Sequence, residues 1–436
     1  MSNIYLDNAA TTKPDPEVIE VMSRVQKEAW GNPSSIHSVG QGAAVTLDKS
    51  RESVAKFLNC DTTEVIFTSG GSESDNLAIR GIIHSVISSD QRKSRDLEVN
   101  NDSACKISPI STGVSRGRND NPFVPHVITS AAEHHAVLHT VQELEKEGKI
   151  EATYLKSDGN GIISPDQVVE AIQENTILVS LMYVNNETGV ISPIREIGRR
   201  LKAINDSPTP SSSPSGMGRT QRKIYFHTDA VQAAEWLTMD VKELGVDLLT
   251  FTAHKIHGPK GTGVLYVKKG TPIKHQISGG DQEFRTRAGT ENVASIAGFA
   301  AAIEEARSKK EEVGRVGSLR DKLIQGIVEA IPDAIVNGGK ATRAPHIANI
   351  SFLNAEGEAI ILNLDFLGIQ VSSGSACTSR SLNPSHVLSS MGVPPEKAHG
   401  SIRFSLSRET TEEEIDRVLE VLPGIIKKLR EMSPFK

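Results

Sequence analysis

The 436-residue chain is poor in cysteine, aromatics and unbroken apolar runs, with only 3 Cys, 2 Trp and 4% aromatic residues. Cys60, Cys105 and Cys377 form neither a paired framework nor a C-x-x-C zinc pattern, which excludes a disulfide-built scaffold and favours a reducing compartment. No window approaches the roughly 18 uninterrupted apolar residues of a membrane span, and residues 1 to 20 carry no basic leader ahead of an apolar core. A cytoplasmic protein with no membrane partner is expected. Excess positive charge is missing too: 48 Lys and Arg against 54 Asp and Glu leave a net charge of −6, so composition offers nothing to nucleic acid. What is present, 37% hydrophobic residues and 35 glycines, is ordinary for a globular protein of two or three domains.

Short apolar runs at Val65 to Phe67, His126 to Thr129, Ala152 to Leu155, Ile177 to Met182, Ile224 to Phe226, Asp247 to Thr250 and Gly263 to Val267 read as strands. Between them lie stretches of helical periodicity, among them Pro16 to Ala29, Gln41 to Leu58, Ser72 to His84, Leu138 to Lys146 and Ile194 to Ile204. That alternation predicts an α/β fold with a mostly parallel sheet. Two helical patterns, Val293 to Lys310 and Val316 to Ala330, then lead to a smaller mixed region with strands near Ile347 to Phe352 and Ser401 to Leu406. Two polar segments, Ser88 to Pro122 and Asn205 to Lys223, are rich in Ser, Asn, Asp, Pro and Arg and read as disordered surface insertions.

Lys255 follows an apolar strand, stands beside His254 and precedes Gly258 to Gly263, a glycine loop read as a turn between strands. A lone lysine is ordinarily a solvated amine, so its meaning depends on its companions. Asp229 ends another strand, and pyridoxal phosphate uses a lysine for its Schiff base and commonly an aspartate against the ring nitrogen. Thr68 to Asn76 places a glycine turn before a helix whose free amides suit a phosphate, although Ser after Gly is equally an ordinary N-cap. His134, His135 and His139 invite a metal reading through i, i+4 spacing, but with no glutamate between them and no third ligand in view, no metal is required.

These residues stand in a longer series: Tyr5 to Thr12, Gly31 to Ser35, Glu133-His134, Val184 to Gly189, Asp229 to Gln232, Ala253 to Lys255, Arg285 to Asn292, Ser372 to Ser379 and Ser401 to Phe404. In that order the sequence resembles the pyridoxal-phosphate-dependent cysteine desulfurases of the NifS/IscS type, within the class V aminotransferase group. The resemblance implies the aspartate-aminotransferase-like, type I fold of PLP-dependent transferases. Its domain plan gives residues 1–14 to the small domain and active site, and 15–270 to a large cofactor-binding domain holding the insertions 88–122 and 205–223. The remainder of that domain and a small C-terminal domain with the cysteine loop fill 271–436.

The resemblance implies that Lys255 is the Schiff-base lysine, Asp229 the ring-nitrogen partner and His134 the residue stacked on the ring. Gln232 and Asn186 resemble the residues that contact the ring oxygen and keep substrate and cofactor in register. Gly71, Ser72, Thr252 and His254 resemble a phosphate cup, with Thr290 supplied by the neighbouring subunit of a homodimer, and Arg403 forks onto the substrate carboxylate. Cys377 is the implied nucleophile: L-cysteine becomes alanine, and its sulfur becomes a persulfide bound for a NifU/IscU-like iron-sulfur scaffold or another acceptor. Transient ligation of an iron-sulfur cluster by Cys377 is implied as well. The loop around Cys377 lacks the Arg-x-Gly-His-His-Cys pattern of SufS-like enzymes. A selenocysteine lyase, a class V aminotransferase and a non-catalytic scaffold are the competing readings.

Overall fold

In the computed structural model, which describes residues 3–103, 123–207, 223–374 and 384–433, seven short strands form the central sheet. They are β2 (Val65–Thr68), β3 (His126–Ser130), β4 (Glu151–Leu155), β5 (Thr176–Ser180), β6 (Tyr225–Asp229), β7 (Leu248–Thr252) and β8 (Gly263–Val267), in the order β2-β8-β7-β6-β5-β3-β4. β8 alone runs antiparallel to both of its neighbours; the other pairings are parallel. Every residue of β3, β5 and β7 is buried, because helices cover both faces, so the strands read as continuous apolar runs rather than alternating ones. The strands other than β8 therefore deliver their C-terminal ends to one edge, where α/β sheets hold their ligands. Gly258 to Thr262 lies in the connection from β7 to β8, the turn that the sequence predicts, and Gly263 opens β8.

On one face of the sheet, helices Pro16–Glu28, Ser38–Leu58, Ile194–Asp206 and Val293–Ser308 contribute Val18, Val54, Ile197 and Phe299 to a common apolar core. On the other, helices Gly71–Ser103 and His135–Lys146 contribute Ile79, Ile82, Val137 and Val141. The helix opened by Gly71 corrects one expectation: it runs unbroken to Ser103, through residues read as the start of a disordered insertion. After Gly81 it meets neither Gly nor Pro, and extending a nucleated helix needs no new nucleus. At the second polar segment the Asn205 side chain pairs with Ile224, donating to its carbonyl and accepting from its amide, each at 2.9 Å. The rest of both segments lies outside the described residues.

A second sheet, β12-β10-β9, comprises β9 (Ala334–Val336), β10 (Ile347–Phe352) and β12 (Ser401–Ser405), all antiparallel. Helices Glu312–Ala330, Gly357–Phe366 and Glu412–Met432 pack on it through Leu323, Leu364 and Ile415. The chain's first strand, β1 (Ile4–Tyr5), pairs in parallel with β11 (Ile369–Gln370). The following residues run along the second sheet, with Ala9 N–H donating to Ser405 Oγ of β12 at 2.9 Å, 396 positions away, and then reach the edge of the central sheet, where the Thr12 amide donates to the His254 carbonyl at 2.9 Å.

Arg51 and Glu283 form a bidentate pair, both contacts 2.8 Å, with side chains 8% and 2% exposed. Glu283 also accepts from the Phe67 amide, and Arg51 donates to the Val65 carbonyl. The pair holds down Glu283, Phe284 and Arg285, three consecutive residues with φ of 46, 55 and 66°, a region that disfavours L side chains. Arg51→Met leaves the carboxylate buried without its cation and is expected to cost about 3–5 kcal/mol, read as a lowered urea midpoint.

Candidate active site

A cavity of about 360 Å³ opens at the C-terminal edge of the central sheet. It gathers Gly71, Ser72, His134, Asn186, Asp229, Gln232, Thr252, His254, Lys255 and Arg403, ten residues that the sequence assigns to one site from segments as far apart as 71 and 403. Thr290 is exposed and does not line it. Cys377 lies outside the described residues, but Gly374, three positions before it, is part of the wall.

Each side chain is placed by a strand end. β7 stops at Thr252 and a single 3-10 turn, Ala253–Lys255, turns the lysine inward. There its Nζ donates to the Ala9 and Ala10 carbonyls at 2.5 and 2.6 Å. β6 ends at Asp229, 3% exposed, with Oδ1 accepting from the Val231 amide at 2.9 Å. Burial raises the Asp229 carboxyl above its usual range, opposed by Lys255. Behind it lies Asp75, pushed up chiefly by burial and also by Asp229. The turn after β2 owes its shape to a close approach: a Cβ on Gly263 would stand 2.6 Å from the Gly70 carbonyl carbon.

His134 caps the helix His135–Lys146, its Nδ1 accepting from the Ala136 amide at 3.2 Å. Burial, then the Lys255 charge, lowers its pKa to about 4, so the ring is neutral across the physiological range and suited to stacking on a flat aromatic group. His254 is lowered to about 4 by the same two influences. Gln232 donates to the Ala9 carbonyl at 2.9 Å, while its Oε1 is 3.3 Å from His346 Nε2. Arg403, 2% exposed, donates from Nη1 to the Asn186 carbonyl and from Nη2 to Asp7, both at 2.8 Å. The i, i+4 histidine contact belongs to His135 and His139, whose Nδ1 and Nε2 are 3.1 Å apart.

Sequence reasoning gave no role to several lining residues: Asp75, His135, Met182, Glu187 and His386. Asp75 and Glu187 belong to the motifs Thr68 to Asn76 and Val184 to Gly189, and their burial at 1% and 2% exposure is a tertiary property that a polar residue type conceals. Among the described residues, Asn186 Oδ1 and Arg403 Nε are buried without hydrogen-bond partners, which leaves an acceptor and a donor for a bound molecule. Together with a lysine amine, a buried carboxylate, a neutral imidazole and helix-start amides at Gly71 and Ser72, this donor set fits pyridoxal phosphate.

The parallel sheet with its lysine and carboxylate at adjacent strand ends defines a pyridoxal-phosphate-dependent enzyme of the type I fold. Residues 4–99, 124–207 and 216–418 match the aminotransferase class-V family, and the two gaps between them overlap the polar segments. The chain belongs to that family and, within it, to the cysteine desulfurases of the NifS/IscS type. It is 45% identical to a cysteine desulfurase IscS of Clostridium botulinum over 99% of this chain and 96% of that one. An IscS of Dictyoglomus turgidum is 44% identical over 99% and 97%. A solved NifS-like protein superposes with a TM-score of 0.80 at 32% identity, covering 98% of this chain and all of the other. The cofactor of these enzymes is pyridoxal 5'-phosphate.

Proposed function

We propose that this enzyme converts L-cysteine to L-alanine and retains the sulfur as a persulfide on Cys377, supplying iron-sulfur cluster assembly. The observation that carries the reading is the cavity itself: the lysine, aspartate, histidine and arginine assigned to a cysteine desulfurase converge on a wall formed in part by Gly374, three residues from that cysteine.

Arg403 and Asn186 receive the substrate carboxylate, the arginine already oriented by the Asn186 carbonyl and Asp7. His134 would stack on the cofactor ring, with Asp229 at the ring nitrogen and Gln232 at its oxygen, and Gly71, Ser72, Thr252 and His254 would hold the phosphate. Bound pyridoxal phosphate supplies an electron sink for negative charge developing on the substrate carbons. The Lys255 amine, held against the Ala9 and Ala10 carbonyls, takes the substrate's α-proton. The Cys377 thiolate attacks the substrate sulfur: an S–S bond forms, the Cβ–S bond breaks with its electron pair left on carbon, and Cβ gains a proton. Enzyme thiol plus cysteine thus becomes enzyme persulfide plus alanine, with no external oxidant.

A homodimer completes this site, with Thr290 reaching the partner's phosphate cup. Its support is the exposure of Thr290 and the uncovered apolar surface of Trp30, Ile36 and Phe284, exposed by 70, 95 and 52%. Residues 15–270 serve as the large domain, with 1–14 joining the small one within 271–436. A NifU/IscU-like scaffold is the sulfur acceptor and the cytoplasm is the compartment. Among the described residues no helix is long and apolar enough to cross a membrane.

The test follows alanine and sulfide from L-cysteine in the presence of a thiol reductant. Equal yields are expected; loss of cysteine without alanine, the outcome of transamination to a keto acid, sinks the reading in favour of an aminotransferase. Replacing the forked guanidinium by a point charge in Arg403→Lys is expected to raise KM for cysteine by about 10–100-fold with the cofactor spectrum unchanged.

A further inference from the structure

The motif Asn185-Asn186-Glu187-Thr188-Gly189 sends Asn186 into the cavity, but its glutamate has no part in the chemistry above. Asn185 builds the turn: its Oδ1 accepts from the Glu187 and Thr188 amides at 3.0 and 2.9 Å, and its carbonyl accepts from the Gly189 amide at 2.9 Å. Gly189 holds φ of 74°, which a non-glycine residue would resist. A rigid turn therefore fixes a carboxylate that is 2% exposed. Its backbone is tied as well, the Glu187 carbonyl accepting from Asn349 Nδ2 on β10 at 3.1 Å.

Two points of the chain meet that carboxylate. Ser385 Oγ donates to Glu187 Oε2 at 2.5 Å and, with the same oxygen, caps the next helix by accepting from the Leu388 amide at 3.1 Å. Gly374 packs against the same atom, so close that a Cβ there would stand 2.6 Å from Oε2. Gly374 and Ser385 flank the segment containing Cys377. Neighbouring bonds point the same way: Ser372 and Arg403 pair as an antiparallel bridge, and His386 Nε2 meets the Glu133 carbonyl at 2.8 Å.

We propose that Glu187 is the positioning residue for sulfur transfer, anchoring with one carboxylate oxygen Ser385, which follows the segment containing Cys377, and packing against Gly374, which precedes it. This inference rests on the persulfide reading of Cys377. Glu187 stands in the cavity wall, and it acts on sulfur transfer through its bond to Ser385. Burial raises its carboxyl above the usual range while Ser385, His386 and Arg403 oppose that shift, as befits a group whose surroundings are built to hold it. The Gly374 contact leaves no room for a larger residue there, and the Ser385 bond needs a hydroxyl.

The test uses cofactor-loaded wild type, Glu187→Ala, Glu187→Gln and Ser385→Ala. Two readouts are taken in a single turnover with L-cysteine: the absorbance change of the bound cofactor, which reports substrate binding, and persulfide on Cys377, trapped by alkylation. Glu187→Ala is expected to keep the absorbance change and KM while persulfide forms about ten- to hundred-fold more slowly, the scale of a misplaced reacting group. Ser385→Ala follows in the same direction, and Glu187→Gln, which keeps an acceptor for Ser385, recovers to within about three-fold of wild type. Persulfide formation at the wild-type rate in both alanine variants overturns the inference. So does loss of cofactor from both, since the carboxylate would then support the whole cavity. Failure of the underlying reading is distinct: wild type itself would form no persulfide on Cys377.

Discussion

Cys377→Ala is expected to give an enzyme that stays yellow and binds L-cysteine, yet releases alanine and sulfide at least about 10³-fold more slowly than wild type, as loss of a covalent nucleophile does elsewhere. None of the residues placed around the cofactor is altered, so colour and substrate-induced absorbance persist. The two products disappear together because the same Cβ–S cleavage yields alanine and the persulfide from which the reductant releases sulfide. The assay compares alanine and sulfide initial rates at matched cofactor occupancy. A mutant that keeps full activity removes Cys377 from the chemistry and with it the need for a thiol at that position. Cys60 is no substitute: burial, reinforced by Glu64 and Asp61, pushes its thiol to about 12, so it is protonated at neutral pH.

Lys255→Ala is expected to abolish turnover by at least about 10³-fold and to leave any bound cofactor unattached to the chain, the removed amine being in the proposed mechanism both the point of attachment and the base. Borohydride treatment followed by intact mass separates the outcomes. Wild type gains the reduced cofactor covalently; the variant does not. A variant that still acquires it would place the attachment at another lysine, contrary to the geometry at the end of β7. Lys255→Ala also frees the Ala9 and Ala10 carbonyls of their shared donor, so faster amide exchange in that segment accompanies the chemical defect.

The strands of the central sheet were legible because burial on both faces writes them as unbroken apolar runs, and Asp229 and Lys255 could be placed at strand ends from those runs alone. Their meeting with Arg403 could not: 174 positions separate Arg403 from Asp229 in the sequence, and only the motif series brought them together. The helix through Ser88 to Ser103 was missed because its continuation depends on the absence of breakers, whereas composition registers only polarity. Asp75 and Glu187 were missed for the opposite reason, since acidic residues are read as solvated until packing shows them enclosed. Asp7 escaped notice as a partner of Arg403 for want of any local signal.

The pairing of the chain's beginning with its far end also sets when the site can exist. Ala9 and Ala10 hold Lys255, yet Ala9 is itself fixed by Ser405, 396 positions on. At about 5–20 residues per second, roughly 20–80 s of synthesis separate those partners, and the ribosome tunnel delays the later one further. During that interval the nascent N-terminal segment has no β11 or β12 to join, and the lysine pocket lacks a wall. The Lys255 pocket is therefore walled only after β12 has been made, and a ribosome stalled before β12 carries a central sheet whose Ala9 lacks its Ser405 partner.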